Sequence, residues 1–354
     1  MASFGKLRAL VGRDFLVIKR NALMLLFILL LPVAFSIIFA SFKEVIPKST
    51  PASVIKADAN VSDADMRFAT FTILSQFCSP TVDSREDAFR KLSREESYFI
   101  VSVPAGIREG KGNLTIYVDH SLSPLAEVSD YVVEILKYEL GKVGLNPEIT
   151  VEKMGRRIMP IEYFTPGVFM ILLAIAGILI VPFNSMKDSD MMSRVLSSVN
   201  IWEFIASKLL FSLVIALIQI VILLATEYYL EMPVMGVNTA SVLTAVLISF
   251  AFTSTGLFVA FALKLSNTAR YICSLLFGVI TAFSGALYPP GFLPSYLQPV
   301  PKILPTYYAL VVLRGFAVKG TAESLLEDYI GIVVIWFILS LALFYYFVRR
   351  FRDG

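Results

Sequence analysis

The run Gly106-Ile107-Arg108-Glu109-Gly110-Lys111-Gly112 is the nearest this sequence comes to a phosphate cradle. A cradle of the form G-x-x-x-x-G-K-[ST] uses backbone N–H groups and a lysine to hold phosphates and a hydroxyl to hold magnesium. Here the glycines are one residue too close and Gly112 stands where the hydroxyl belongs, so the run reads as a turn and ATP hydrolysis is not expected of this chain. The single histidine, His120, has no second histidine and no cysteine near it, which leaves no zinc set and no nucleophile triad to assemble. Cys78 and Cys273 fall in segments of different character, one charged and one apolar, and no disulfide framework follows from two such thiols.

Side chains that could carry a substrate or a signal are fewer still. Gln219 and the run Thr253-Ser254-Thr255 are the main polar groups inside long apolar segments, and they read either as helix-to-helix hydrogen bonds or as part of a substrate path. Ionisable groups are almost absent there, which argues against a carrier driven by protons or ions, because a charge at mid-membrane costs several kcal/mol and persists only for function.

The elements that must position these residues follow from hydropathy. Of 354 residues 56% are apolar and only 17% charged, and mean hydropathy is +0.73, outside the usual range of a soluble domain. A net charge of +3 is too slight to serve nucleic acid. Apolar blocks of near-spanning length stand at 22–42, 166–183, 204–226, 241–263, 271–287 and 330–348. The expected fold is therefore an α-helical integral membrane protein with six transmembrane helices and an α/β extracytoplasmic domain, residues 43–163, inserted between helices 1 and 2. Lys and Arg flank the first and last blocks and the 187–204 and 264–270 connections, whereas 227–240 has none. By the positive-inside rule both termini are expected in the cytoplasm.

Within 43–163, Ser62 with Asp65 and Ser84 with Asp87 are Ser-x-x-Asp helix starts, and Ser123-Pro124 is a third. Short β-rich runs lie at 54–55, 98–103 and 114–118. Asn60 and Asn113 head glycosylation acceptor triplets. Residues 1–21 place Phe4, Leu7, Val11, Phe15 and Ile18 on one helical face and Lys6, Arg13 and Arg20 on another, which suits a helix on the inner membrane surface or a solvated extension of the first span. In the cytoplasmic loop 184–204, Val195, Val199 and Trp202 give a short helix one apolar side, for a partner or for packing. The proline-rich connection 288–328, with Phe292, Tyr296, Tyr307 and Tyr308, suits short helices at the outer interface.

The order of these features resembles the membrane subunits of type-2 ABC transporters. The most specific stretch is Phe283-Ser284-Gly285-Ala286-Leu287-Tyr288-Pro289, then Leu304-Pro305-Thr306-Tyr307-Tyr308 and Leu313-Arg314-Gly315-Phe316 to Lys319-Gly320, which is similar to that family's closing signature. Arg13-Asp14-Phe15, Tyr163-Phe164-Thr165-Pro166-Gly167 and Trp202-Glu203-Phe204 are similar to its openings of the first three spans. The segment Asp188-Ser189-Asp190-Met191-Met192-Ser193 keeps the family's acidic positions but lacks its Gly-Thr.

The resemblance implies a permease subunit, an exporter in the plasma membrane, that hydrolyses no ATP itself. Its partners would be an ATP-binding-cassette ATPase subunit, which binds ATP and Mg, a second permease copy in a homodimer or heterodimer, and the lipid bilayer. Asp188, Asp190, Arg194 and Trp202 would couple to the ATPase, the interfacial helix with Arg8 and Arg13 would brace the same interface, and Gln219, Thr253, Ser254 and Thr255 would line the path. The alternative is a membrane receptor or scaffold that senses a ligand through its extracytoplasmic domain.

Overall fold

The computed structural model describes residues 50–121, 128–158, 160–187, 189–229 and 236–353. The first predicted span at 22–42, the interfacial stretch with Arg8 and Arg13, the Ser123-Pro124 start and Asp188 lie outside these residues.

An α/β unit comes first. Strands β1 (Pro51–Lys56), β2 (Ser79–Val82), β3 (Phe99–Val103), β4 (Asn113–Asp119) and β5 (Glu148–Met154) form one sheet in the order β2-β1-β3-β4-β5. β1 pairs in parallel with β2 and β3, β3 and β4 are antiparallel, and β4 and β5 are parallel. Period-two alternation divides the faces. Val54, Val101 and Ile116 meet helix α1 (Asp63–Arg67), the π-helical turn Phe68–Ile73 and helix α3 (Val128–Lys142) on one side. Ile55 and Ile100 meet Ala88 and Leu92 of helix α2 (Arg85–Ser93) on the other.

Both Ser-x-x-Asp starts fold as caps: Ser62 Oγ accepts from Asp65 N and Ser84 Oγ from Asp87 N, each at 3.1 Å. The strands that the β-rich runs leave unread are the two sheet edges. β2 carries Pro80, which an edge tolerates, and β5 alternates Ile149 and Val151 with charged and polar residues. The glycine-rich run is a single 3₁₀ turn, Ile107–Glu109, between Gly106 and Gly110 in the left-handed region.

The rest is helical. Helix α4 (Pro160–Ala174) continues through a π-helical turn, Ile175–Ile180, into α5 (Val181–Lys187). Then come α6 (Ser189–Ser198), α7 (Ile201–Tyr229), α8 (Thr239–Ala262), α9 (Asn267–Phe283), α10 (Pro299–Ile303), α11 (Pro305–Arg314) and α12 (Glu323–Asp353). Among the described residues four helices are long and apolar enough to cross a membrane: Glu162–Lys187, Ile201–Ala225, Thr239–Ala262 and Glu323–Asp353. α9 is shorter, at 17 residues.

Helices α4, α5 and α8 sit inside the bundle, whereas few of the apolar side chains of α7 and α12 are fully buried. The inner contact is made by glycines. A Cβ on Gly256 would lie 2.5 Å from the Gly177 carbonyl oxygen, and one on Gly177 would lie 2.7 Å from Thr253 N, so the π turn and α8 approach backbone to backbone. Helix α11 carries prolines just before it and tyrosines at its start, yet nearly all of it is buried. It packs against α4, α8 and α12, and Arg314 at its end reaches Glu95 of the α/β unit.

Candidate functional site

Three groups of polar residues stand out, at one end of the bundle, in its middle and at its junction with the α/β unit. At the end away from the sheet, α6 runs as a short amphipathic helix. Met192 and Leu196 are buried, while Met191, Val195, Asp190 and Arg194 are exposed. A capping box then starts α7: Asn200 Oδ1 accepts from Trp202 N at 2.9 Å, and Glu203 Oε2 accepts from Asn200 N at 3.1 Å. That cap holds Trp202 at the surface, 55% exposed, with its ring stacked 4.9 Å from Tyr345 of α12. The structure thus brings Asp190, Arg194 and Trp202 onto one end of the bundle.

In the middle, the polar residues of α8 point in different directions. Thr253 Oγ1 lies 2.6 Å from Ser212 Oγ of α7 and 2.7 Å from the Ser249 carbonyl. Thr255 Oγ1 accepts from Trp336 Nε1 of α12 at 3.1 Å and donates to the Ala251 carbonyl at 2.8 Å. Ser254 is fully buried, and neither its hydroxyl nor the Gln219 carbonyl oxygen has a hydrogen-bond partner among the described residues. Gln219 lies about two turns beyond Ser212 on α7. Thr253 thus joins α8 to α7, and Thr255 joins it to α12.

The third group was not singled out from sequence. Arg314, at the end of α11, is 1% exposed and uses its whole fork. Nη1 donates to Glu95 Oε2 at 2.6 Å and to Tyr163 Oη at 2.9 Å, Nε to the Tyr163 carbonyl at 3.2 Å, and Nη2 to the Gly285 carbonyl at 3.3 Å. The guanidinium lies 3.8 Å from the Tyr163 ring centre, close enough for cation–π attraction. Lys319 Nζ sits 3.0 Å from Glu95 Oε1 and 3.2 Å from Asp119 Oδ2, and Asp119 also accepts from Ser121 N at 2.8 Å. Two carboxylates and two cations balance, which is what a buried charge requires. Burial pushes the Glu95 carboxyl up, but Arg314 and Lys319 beside it overcome this and hold it below the usual carboxylate range. Tyr98, whose Oη accepts from Gly291 N at 2.9 Å, is pushed up by burial and by Glu95.

Glu95 reaches this position through a helix end. Glu96 N donates to the Lys91 carbonyl at 2.9 Å and Glu95 N to the Leu92 carbonyl at 3.2 Å, the bonding of a Schellman motif that closes α2. Glu95 takes the left-handed position with φ 60°, where glycine is the usual occupant. On either side of it, Arg94 Nε donates to the Leu325 carbonyl at 2.5 Å and Nη2 to Asp328 at 3.2 Å, while Glu96 Oε1 accepts from Tyr329 Oη at 2.6 Å. The sequence signal that existed was indirect. Tyr163, Gly285, Arg314 and Lys319 all belong to the stretches that carry the resemblance, but nothing in their spacing names Glu95 as their common partner.

A family model described as ABC-2 family transporter protein matches residues 22–346. No curated protein and no solved structure matches.

Proposed function

The chain belongs to the ABC-2 transporter family, a membrane protein of the permease type, and from that premise we propose that it is the membrane subunit of an exporter whose ATP is bound with Mg and hydrolysed by a separate ATP-binding-cassette subunit. The observation that carries the reading is the family match over most of the chain, joined to an exposed amphipathic helix at the basic end of the bundle. Lys187, Arg194, Lys264, Arg270, Arg349, Arg350 and Arg352 lie at that end, opposite the sheet. By the positive-inside rule this end is cytoplasmic, the α/β unit is extracytoplasmic and both termini are in the cytoplasm of a cell bounded by this plasma membrane.

In this reading Asp188, Asp190, Arg194 and Trp202 form the surface on which the ATPase docks. Closure of the ATPases pushes on α6, and its buried Met192 and Leu196 pass the displacement to the bundle. Arg8 and Arg13 brace the same region. Two permease copies, identical or related, form the path between them, and Gln219 and Ser254, with unused polar atoms inside an apolar bundle, are the groups of the predicted path best placed to meet a substrate.

The test is affinity purification of the tagged chain from its own membranes, with mass spectrometry and an ATPase assay of what accompanies it. A stoichiometric ATP-binding subunit, lost when Asp188 and Asp190 are both changed to Lys, is the expected result. Recovery of the chain alone, or with a signalling protein, overturns the permease reading in favour of a receptor. Retention of the ATPase by the charge-reversed chain overturns only the docking assignment.

A further inference from the structure

Among the described residues, the segment Arg94-Glu95-Glu96-Ser97-Tyr98 is a short run of the α/β unit that touches several elements at the near end of the bundle. Arg94 reaches the start of α12 at Leu325 and Asp328, with its guanidinium 5.0 Å from the Tyr329 ring centre. Glu95 reaches Arg314, Lys319 and Tyr163, which belong to α11, the turn after it and α4. Glu96 reaches Tyr329, and Tyr98 reaches Gly291, where a Cβ would lie only 2.0 Å from the tyrosine ring.

The helix end that presents this segment violates its own local preference. A Schellman motif wants glycine at the left-handed position, and a side chain there carries backbone strain that persists only where the surroundings over-determine it. Here the strained residue is also a buried carboxylate held by two cations. Local conformation and desolvation both act against Glu95, so its retention is explained by what it holds rather than by the turn it makes.

We propose that residues 94–98 are a clamp that fixes the α/β unit to the closing segment of the bundle as one rigid body, with Glu95 and Arg314 as its pin. The clamp ties α4, α11 and α12 to one segment beside the sheet, and the Lys319 pair with Asp119 of β4 adds a second tie, so any tilt of those helices is carried into the α/β unit without a hinge. Paired charge suits this task. Arg314 and Lys319 keep Glu95 ionised, so the pin does not release on mild acidification, and its fork of donors fixes direction as well as distance. The proposal concerns attachment alone and stands whether or not an ATPase drives the bundle.

The test uses the full chain in nanodiscs, with spin labels at Lys137→Cys on α3 and Thr268→Cys on α9. Both sites are exposed, and the native Cys78 and Cys273 are buried. With the labelled chain diluted in excess unlabelled chain, so that only distances within one copy are read, the unsubstituted clamp gives one narrow interspin distance distribution. Glu95→Gly relieves the strained backbone and deletes the carboxylate, so it discriminates: a helix terminator would keep the narrow distribution and melt no lower, whereas a clamp loses the single peak and melts lower. Tyr329→Phe removes the hydrogen bond to Glu96, keeps the ring against Arg94 and the pairs of Glu95, and broadens the distribution less. Should the glycine variant fail to stay monodisperse, Tyr329→Phe decides the matter. Distributions superimposable on that of the unsubstituted chain, in whichever of the two variants fold, overturn the proposal.

Discussion

Arg314 shows how much one side chain can be asked to hold. Through Nε and both Nη atoms it donates four hydrogen bonds, to two carbonyls, a carboxylate and a phenol, in a fixed fork that no lysine reproduces. Replacing it with methionine leaves Glu95 buried with Lys319 as its remaining cation, and loss of one partner from a buried pair costs about 3–5 kcal/mol. Arg314→Met is expected to lower the midpoint of denaturant unfolding in detergent accordingly, and Arg314→Lys to recover only part of that loss. Cys78 presents the opposite case. It is buried among the side chains of the α/β unit, its thiol lies 3.2 Å from the Leu74 carbonyl, and burial pushes its pKa to about 12. Only the thiolate reacts, so maleimide labelling of Cys78 at neutral pH is expected only after denaturation; rapid labelling of the folded chain would show that the unit opens.

At the level of elements, the glycine contact between the π turn and α8 sets how closely the inner helices approach. Gly256→Ala places a methyl 2.5 Å from a backbone oxygen that cannot rotate away, a clash expected to cost about 1–3 kcal/mol. Gly331 on α12 has nothing within 4 Å of a would-be Cβ, and Gly331→Ala is expected to stabilise by about 0.5–1 kcal/mol through helix propensity alone. Thermal unfolding of the two variants side by side checks the contrast, and equal shifts would mean that the helices do not pack as described. The same scale explains which elements were legible. α1 and α2 announce themselves by caps, and the long helices by apolar length. Edge strands β2 and β5 have no continuous apolar run, and their side chains are largely solvated at the two ends of the sheet formed by the described residues. Helix α11 was read as interfacial on its prolines and tyrosines. Its burial comes from packing against α4, α8 and α12, contacts between distant segments that no local pattern encodes.

Across the whole molecule the carboxylates set the pH response. Glu95 and Asp83 are both raised by burial but held below their ordinary values, Glu95 by Arg314 and Lys319, Asp83 by Lys91, Ser53 and Thr81. A depressed folded value means the unfolded chain takes up protons first as pH falls. The stabilisation is therefore complete above the ordinary carboxylate values, 4.5 for Glu and 3.8 for Asp, and is lost only as pH falls through the lower folded values. The melting temperature of a His120→Asn variant, which removes the imidazole that burial, Lys153 and Arg157 hold below its ordinary value, is expected to show no loss between neutral pH and that range and to fall below it; a drop between pH 7 and 6 in that variant would mean that burial of these carboxyls outweighs their pairing. What the sequence determined by itself is what depends on composition and short range: a membrane-spanning class from apolar blocks, an α/β unit from alternation and caps, and a family from ordered motifs. What only the tertiary structure decided is which of those motifs meet. Tyr163, Gly285, Arg314 and Lys319 are separated by more than a hundred residues from end to end, and Glu95 lies far upstream of them all. Charge pairing in a buried site is a matter of distance in space, and chain separation carries almost no information about it once a sheet and a bundle fold against each other.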